Sequence, residues 1–265
     1  MEFKRIESRA NPSVKFVCEL HESKGRRQNE KFCFEGVHLL EEYIRSGNVP
    51  ENIFVREDVV GAYSALIAPF EDKVITVTPS VYEKMSLEKA PQGILTVSSF
   101  LPNVKFVKEL PRSSSENGSC MIVDLQDTGN VGTIVRTSAS LGAGVILAGN
   151  CADIYSPKTV RATMGALFNT DIYVCEDVLR AVASLQKQGV RVIASALTDE
   201  SVFLGEFDTD ITDCFVVGNE GKGLPEKVIK SCDMTVKIKM SGRTESLNAA
   251  SAASIMLWEL KRGRL

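Results

Sequence analysis

The stretch from Phe215 to Leu260 reads FVVGNEGKGLPEKVIKSCDMTVKIKMSGRTESLNAASAASIMLWEL. It contains two short apolar strands, and each is followed by a polar loop and then a helix. The predicted strand Cys214 to Val217 leads into the loop Gly218 to Pro225, where three glycines permit tight turning. The predicted strand Met234 to Ile238 leads into a loop ending at Ser246, which is predicted to cap the final helix.

A third strand, turn and helix lie earlier in the chain. The apolar run Met121 to Leu125 is followed by a polar turn and a helix predicted over Asn130 to Leu141. Further strands alternate with helices along this half, which indicates parallel βαβ units in an α/β domain. Because open α/β sheets bind ligands at the carboxyl ends of their strands, the three polar loops are candidate walls of a binding crevice.

The common nucleotide-binding motifs are absent from the sequence. No G-x-G-x-x-G follows the first strand of this half, and Gly221-Lys222-Gly223 lacks the Ser or Thr of a phosphate-binding loop. There is also no G-x-S-x-G nucleophile elbow. A dehydrogenase with the same type of sheet is therefore a weak hypothesis.

Length and hydropathy indicate a globular protein outside the membrane. The 265 residues are enough for one large or two ordinary domains. No apolar run is long enough to span a bilayer, and the first residues, MEFKRIESRA, lack the apolar region of a signal peptide. We therefore expect a cytoplasmic protein.

Cysteine and histidine usage argues against a metal site. The seven cysteines contain no C-x-x-C pair and several lie in apolar strands, which is typical of reduced core residues. The two histidines, His21 and His38, are too scattered to form a metal site. We predict neither a bound metal nor a disulfide framework.

Charge leaves the nature of the partner open. The net charge of -3 argues mildly against a protein that coats nucleic acid. Residues 1–31, however, hold eight Lys or Arg against five Asp or Glu, and Gly25 to Lys31 is predicted to be a basic exposed turn. On composition alone this segment is equally well explained as a solvated face.

Two domains and a linker are predicted. Short apolar strands and helical stretches alternate between Phe32 and Val97, which indicates a small α/β domain at residues 1–105. Residues 106–119 are rich in turn formers and lack apolar periodicity, so they are predicted to be the linker. Residues 120–265 form the second domain.

Three sequence motifs carry a resemblance to a known family. D-L-Q-D-T-G-N-V-G-T-I-V-R-T, V-G-N-E-G-K-G-L and S-L-N-A-A-S-A-A occur in this order between Met121 and Trp258. Together they resemble the three motifs of the SpoU (TrmH) family of RNA ribose 2'-O-methyltransferases, in the SPOUT superfamily. The resemblance implies a parallel-sheet domain with a deep trefoil knot, a homodimer, and S-adenosylmethionine (SAM) as methyl donor.

The resemblance also implies the site residues. Those assigned to catalysis are Asn130, Arg136, Glu220, Ser246 and Asn248, and those assigned to SAM are Gly218, Ile238 and Leu247. The family's arginine is proposed to assist deprotonation of the 2'-hydroxyl. Since a guanidinium with a pKa above about 12 is a poor base, the physical expectation is that Arg136 clamps an RNA phosphate and stabilises the developing alkoxide. Glu220 would hold Arg136 or its own loop.

The N-terminal domain resembles the substrate-binding domain found in many SpoU enzymes, although more loosely. The segments S-R-A-N-P-S-V-K, F-C-F-E-G-V-H-L-L-E-E and A-P-Q-G-I-L carry this similarity. It implies a ribosomal-protein-like α/β fold that binds RNA. The residues that match its motifs are Asn11, Lys15, Arg27, Glu35, Gly36 and Gln92, of which Asn11, Lys15, Arg27 and Gln92 are predicted to contact RNA. For Gly36, a strand-to-helix turn is an equally good explanation.

The sequence departs from the family pattern in the third motif region. Ile238-Lys239-Met240 replaces the usual I-P-M, so this loop has one proline less. The hypotheses for function are an rRNA 2'-O-methyltransferase, favoured by the extra N-terminal domain, a tRNA 2'-O-methyltransferase, and a non-catalytic RNA-binding or ribosome-assembly protein with the same fold.

Overall fold

The chain forms two compact units in a computed structural model that describes residues 3–114, 116–219 and 221–263. The N-terminal unit consists of Met1–Leu101 and Asp153–Phe168, and the C-terminal unit consists of Pro102–Ala152 and Asn169–Leu265. The second half of the chain therefore contributes a segment to the first unit.

The N-terminal unit is built on a five-stranded mixed sheet of order β1-β4-β3-β5-β2. Strands β1 and β3 run parallel to β4, and β5 runs antiparallel to both β2 and β3. Its elements are β1 (Lys4–Ile6), α1 (Pro12–Glu19), α2 (Ser23–Asn29), β2 (Lys31–Glu35), α3 (Val37–Arg45), β3 (Asn52–Arg56), α4 (Ser64–Ile67), β4 (Val74–Val77), α5 (Pro79–Met85), β5 (Ile94–Ser99) and, from the second half of the chain, α7 (Pro157–Ala162).

Local sequence explains where these helices begin. The side chains of Asn11, Thr78 and Ser156 accept hydrogen bonds from backbone N–H groups of the first turns of α1, α5 and α7. A proline follows each of these caps, where its fixed φ suits a helix start and its missing N–H is not needed.

Aromatic contacts hold residues 153–168 in the N-terminal unit. The Tyr155 ring stacks on Phe100 with centroids 4.1 Å apart, and the Phe168 ring lies 5.3 Å from Phe34. The Tyr155 hydroxyl accepts a 2.7 Å hydrogen bond from the buried N–H of Leu101. An ion pair between Arg26 and Asp153, with Nη2 and Oδ2 2.6 Å apart, adds a polar contact.

The C-terminal unit is built on an eight-stranded sheet of order β11-β13-β10-β12-β7-β8-β9-β6, in which every recorded pairing is parallel. Its elements are β6 (Val104–Phe106), β7 (Ser119–Val123), α6 (Thr128–Leu141), β8 (Gly144–Ala148), β9 (Ile172–Cys175), α8 (Val178–Lys187), β10 (Val192–Ser195), β11 (Val202–Phe203), β12 (Cys214–Val217), α9 (Glu226–Ser231), β13 (Met234–Lys237) and α10 (Ala249–Lys261). Strands β7 and β12 are buried along their whole length, which accounts for their continuous apolar runs.

The α/β architecture with a parallel sheet agrees with the sequence prediction, but the division into units differs from the predicted boundaries. The predicted linker at 106–119 belongs to the C-terminal unit, because β6 pairs with β9 and Leu110 is buried in the core. Residues 153–168, predicted in the second domain, pack in the first.

Two local predictions are wrong. The basic stretch predicted as an exposed turn is helix α2, and its Arg26 is only 3% exposed. The guanidinium of Arg26 donates to the carbonyls of Leu20 and His21 as well as to Asp153, so it stabilises the fold and is not free for RNA. Ser246 does not cap the last helix; Asn248 does.

Other general features concern membranes, metals and thiols. No helix in the described part of the chain is long and apolar enough to cross a membrane. Within the same residues there is no group of three or more His, Cys, Asp or Glu side chains placed to hold a metal ion. The seven cysteines are free, and burial raises the pKa of the Cys232 thiol to about 11.

Candidate active site

The loops that follow β7, β8, β10, β12 and β13 lie at one edge of the C-terminal sheet. These strands are parallel neighbours, so their carboxyl ends meet at the same edge. The three loops predicted from sequence are the ones after β7, β12 and β13. The structure adds the loop after β8, at residues 149–152, and the loop after β10, at residues 196–201.

The loop after β7 leads into helix α6. Asp127 caps this helix, since its Oδ1 accepts a 2.7 Å hydrogen bond from the N–H of Asn130. Asn130 therefore lies in the first turn. Arg136 follows nearly two turns later and is exposed, and its guanidinium makes no hydrogen bond or ion pair with any residue that the structure describes.

The loop after β12 is a tight turn closed by Asn219. The N–H of Gly223 donates to the Asn219 carbonyl at 2.8 Å, and the N–H of Gly221 donates to Asn219 Oδ1 at 2.9 Å. A Cβ atom on Gly218 would lie 2.5 Å from the carbonyl carbon of Gly223 and 2.7 Å from the nitrogen of Leu224. Only glycine permits this close approach at position 218. Glu220, predicted to be catalytic, lies outside the described residues.

The loop after β13 offers its backbone to a ligand. Residues 241–248 are exposed, and neither Ile238 nor Leu247 has a backbone hydrogen-bond partner among the described residues. The Leu247 side chain is 38% exposed. Lys239 stands where the family usually has a proline. Its Nζ lies 5.8 Å from the centre of the Phe203 ring, so this substitution adds a positive charge at this edge of the sheet.

A hydrogen bond joins the first and third motifs. Asn248 Nδ2 donates to Asn130 Oδ1 at 2.9 Å. Oδ1 of the same Asn248 accepts from the N–H groups of Ala250 and Ser251, and so caps α10.

Ser246 was predicted as this cap, but it is exposed and two residues too early, because the chain becomes helical only at Ala249. Ser246 makes no recorded contact with the other predicted site residues within the described parts of the chain.

A second contact joins the first and second motifs. Asn219 Nδ2 donates to the carbonyl oxygen of Asp124 at 3.3 Å. Strands β7 and β12 are adjacent, so the loops of these two motifs start side by side. Sequence analysis did not single out Asn219 or Asp124. The amide of Asn219 inside a glycine-rich turn was an available signal, because Asn side chains commonly close such turns.

The residues predicted to contact RNA in the N-terminal unit divide into two groups. Lys15 and Arg27 are exposed and have no recorded ion pair in the described part of the chain. Asn11 and Gln92, in contrast, hold the fold through their side-chain oxygens. Asn11 caps α1 through Ser13, and Gln92 Oε1 accepts from the N–H of Val37 at the start of α3.

Glu35 is a half-buried carboxylate of the N-terminal unit. Burial raises the pKa of Glu35 above its ordinary value, and hydrogen bonds from Ser86 and Tyr82 oppose this shift. Glu35 and Arg161, which is paired with Glu88, line one small cavity of this unit. Gly36 next to it has φ +116°, which supports the turn explanation for this glycine.

Comparisons with known proteins agree with this geometry. The family model described as the SpoU rRNA Methylase family matches residues 119–258, and a model described as the MRM3-like substrate binding domain matches residues 11–96. The 23S rRNA (guanosine(2553)-2'-O)-methyltransferase RlmP of Bacillus subtilis is 28% identical over 261 residues, which cover 97% of this chain and 99% of that protein.

Two further relatives extend the comparison. A 23S rRNA (uridine(2479)-2'-O)-methyltransferase of Streptomyces viridochromogenes is 38% identical over 143 residues, which cover 52% of this chain and 50% of that protein. The crystal structure of an AdoMet-bound rRNA methyltransferase from Sinorhizobium meliloti superimposes with a TM-score of 0.81 at 27% identity, covering 99% of both chains.

The parallel sheet, the loops at its carboxyl edge and these relatives define an RNA methyltransferase. The chain belongs to the SpoU rRNA methylase family. The resemblance predicted from the three motifs is confirmed.

Proposed function

We propose that the chain transfers the methyl group of SAM to the 2'-hydroxyl of a ribose in ribosomal RNA. One observation carries the proposal: the hydrogen bond from Asn248 to Asn130 brings the first and third motifs together, 118 residues apart in sequence. The contact from Asn219 to Asp124 adds the second motif at the same edge of the sheet. The Bacillus subtilis relative RlmP, which matches 97% of this chain, acts by its name on 23S rRNA, and this supports ribosomal RNA over transfer RNA.

The exposed backbone of the loops after β12 and β13 fits a SAM molecule. The polar groups of Ile238 and Leu247 lack partners within the described residues, and such groups can pair with the edges of an adenine ring. The close turn at Gly218 keeps its own loop compact beside them. When bound, SAM supplies a methyl group that its positive sulfur already activates, so the protein needs mainly to align the two substrates.

Arg136 is proposed to act on the RNA. Its guanidinium is exposed, it has no partner among the described residues, and it lies on the helix whose first turn holds Asn130. A guanidinium stays charged at neutral pH and binds phosphate through two parallel hydrogen bonds. In this position it would orient the sugar and stabilise the negative charge that develops on the 2'-oxygen.

The N-terminal unit is proposed to recognise the RNA, with Lys15 and Arg27 as phosphate contacts. Their exposure and lack of ion pairs within the described residues support this role. Asn11 and Gln92 would contact RNA only through their amide nitrogens, since their oxygens accept hydrogen bonds from the first turns of α1 and α3.

The proposal has three further parts. The C-terminal unit contains the trefoil knot of SPOUT domains, the protein is cytoplasmic, and Glu220 supports Arg136.

A homodimer is part of the same proposal. Helix α10 buries one face against α6 and the sheet and leaves Ile255 and Trp258 exposed by 40% and 54%. These side chains lie three residues apart on one face, next to Ser251, so a second copy of the helix could approach closely. Trp258→Glu should lower the mass measured by sedimentation to that of a monomer, whereas Leu179→Glu on α8 should leave it unchanged.

The reaction itself is tested by incubating the protein with labelled SAM and total RNA that lacks its own modification. The RNA is then digested, and its nucleosides are separated. A 2'-O-methylated nucleoside from ribosomal RNA is expected. If label appears only in transfer RNA, the substrate is transfer RNA and the assignment to ribosomal RNA is wrong. SAM binding without any transfer, or no binding of SAM, would contradict the proposal and favour a non-catalytic RNA-binding protein.

Arg136→Ala separates binding from transfer. We expect methyl transfer to be lost while SAM affinity, measured by calorimetry, stays at its original value. Arg180→Ala is the matched control, because Arg180 is an exposed arginine of the same unit, and its guanidinium lies 3.5 Å from the exposed carboxylate of Glu109. An Arg136→Ala protein with full activity would refute the assignment of Arg136.

A further inference from the structure

Asp124 has a backbone conformation that is uncommon for residues other than glycine. It follows the last residue of β7 and has φ +53°, in the left-handed region. Within the described residues, only Glu30 and Met164 share a positive φ without being glycine. Such a conformation is held only where the surroundings determine it, and it concentrates at functional sites.

The contacts of Asp124 connect three loops. Its Oδ1 accepts a 2.7 Å hydrogen bond from the N–H of Asn150, in the loop after β8. Its carbonyl oxygen accepts from Asn219 Nδ2, in the loop after β12. Its own N–H donates to the carbonyl of Ala148 at 3.2 Å. Because β7 lies between β12 and β8 in the sheet, Asp124 occupies the middle of the three loops.

The structure leaves space for this carboxylate. Gly149 has φ +73°, and a Cβ atom there would lie 2.4 Å from Asp124 Oδ1. One residue beyond Asp124, the carbonyl of Leu125 accepts from the N–H of Ala152 at 2.8 Å, so the two loops stay paired past the ends of their strands. The turn at Asp124 is therefore fixed from both sides before the chain reaches Asp127, which caps α6.

We infer that Asp124 is a positioning residue for the methyl transfer proposed above, on which this inference rests. Its carboxylate fixes the turn from which the loop to α6 starts, and thereby sets the location of Asn130 and Arg136 relative to the loop of the second motif. Glycine would adopt the same backbone conformation without strain but would leave the N–H of Asn150 without its acceptor. Aspartate supplies both the turn and the acceptor, which explains why this residue type serves here.

Substitutions at position 124 separate the acceptor from the backbone conformation. Asp124→Gly keeps the turn and removes the acceptor, whereas Asp124→Asn keeps an oxygen acceptor and also tolerates a positive φ. In Asp124→Gly we expect kcat to fall by about 10- to 100-fold, as for a displacement of about 1 Å at a reacting centre. SAM affinity and the melting temperature should stay close to those of the original protein. Asp124→Asn should restore most of kcat.

A substitution at Gly149, in the neighbouring loop, tests the same position of the Asp124 carboxylate. Gly149→Ala would push a methyl group against the Asp124 carboxylate and should lower kcat as Asp124→Gly does. Gly189→Ala is the matched control. Gly189 also has a positive φ, +80°, but apart from its two chain neighbours no atom of the described residues would lie within 4 Å of the added methyl group. Gly189→Ala should strain the backbone as Gly149→Ala does, because both glycines have a positive φ, but it should leave kcat unchanged.

Hydrogen exchange gives a readout that does not depend on activity. In Asp124→Gly, the amides of residues 124–131 and of Asn150 should exchange faster than in the original protein and in Asp124→Asn. Equal exchange in the three proteins would overturn the inference. So would a loss of kcat in Gly189→Ala equal to that in Gly149→Ala. If the original protein transfers no methyl group, the proposed function fails, while the exchange experiment still decides whether Asp124 positions the loop.

Discussion

Asn248 Nδ2 donates a hydrogen bond of 2.9 Å to Asn130 Oδ1, while Asn248 Oδ1 caps helix α10. One side chain thus starts the last helix and holds the first turn of α6. Two different substitutions should separate these roles, because an aspartate keeps the capping oxygen and loses the amide donor.

Asn248→Ala should lower the free energy of unfolding by about 1 kcal/mol through loss of the cap, and it should also lower activity. Asn248→Asp should keep the stability and lose activity to the same extent. Urea denaturation and the methylation assay measure the two effects. Equal activity in Asn248→Asp and the original protein would show that the bond to Asn130 is not needed for transfer.

Gly218 and Gly221 offer a matched pair within one loop. An added methyl group at Gly218 would meet backbone atoms of Gly223 and Leu224 at 2.5 to 2.7 Å, so the loop would have to open. At Gly221 the nearest atom is Asn219 Oδ1 at 3.6 Å, an ordinary contact. Gly218→Ala should weaken SAM binding by about tenfold or more, about 1.4 kcal/mol. Gly221→Ala should bind SAM as the original protein does, and calorimetry compares the two.

Glu35 should make the stability of the chain depend on pH with a defined sign. Burial raises its pKa above the ordinary value of 4.5, so the folded state binds a proton more tightly there than the unfolded state. Its contribution to stability is then fully present below the unfolded pKa and is lost as the pH rises through the folded pKa.

Glu35→Gln removes this titration while keeping an oxygen that can accept from Tyr82 and Ser86. The free energy of unfolding of the original protein, minus that of Glu35→Gln, should fall as the pH rises from about 4 to about 8. Urea denaturation across that range tests it, with Glu41→Gln at an exposed position of α3 as the control. A difference that rises with pH would contradict the burial argument.

Residues 153–168 should need the rest of the N-terminal unit to stay buried. A fragment of residues 102–265 keeps the segment 153–168 but lacks Phe100, Phe34 and the rest of its partners. Exposed Tyr155 and Phe168 should therefore make this fragment aggregate. Replacing residues 153–168 of the fragment by a glycine-serine linker should increase its solubility. A soluble, cooperatively melting 102–265 fragment would show that the segment does not need its partners.

Local chemistry explains why much of the site could be predicted from the sequence. The three motifs each join an apolar strand to a helix through turn formers, and such features depend on a few neighbouring residues. The helix predicted over Asn130 to Leu141 lies within α6, Thr128–Leu141, for the same reason. The cap of α10 was placed two residues early, because Ser246 and Asn248 are both good caps and only the backbone path selects one.

The sequence by itself determined an α/β protein with parallel strands and three polar loops, since apolar periodicity and turn chemistry are local. Only the tertiary structure decided that β7 lies between β12 and β8, and therefore that Asp124 meets Asn150 and Asn219. It also decided that Arg26 is buried and paired with Asp153, 127 residues away. Such contacts depend on the order of the strands in the sheet and on which residues become buried. The spacing of residues along the chain specifies neither the strand order nor the burial.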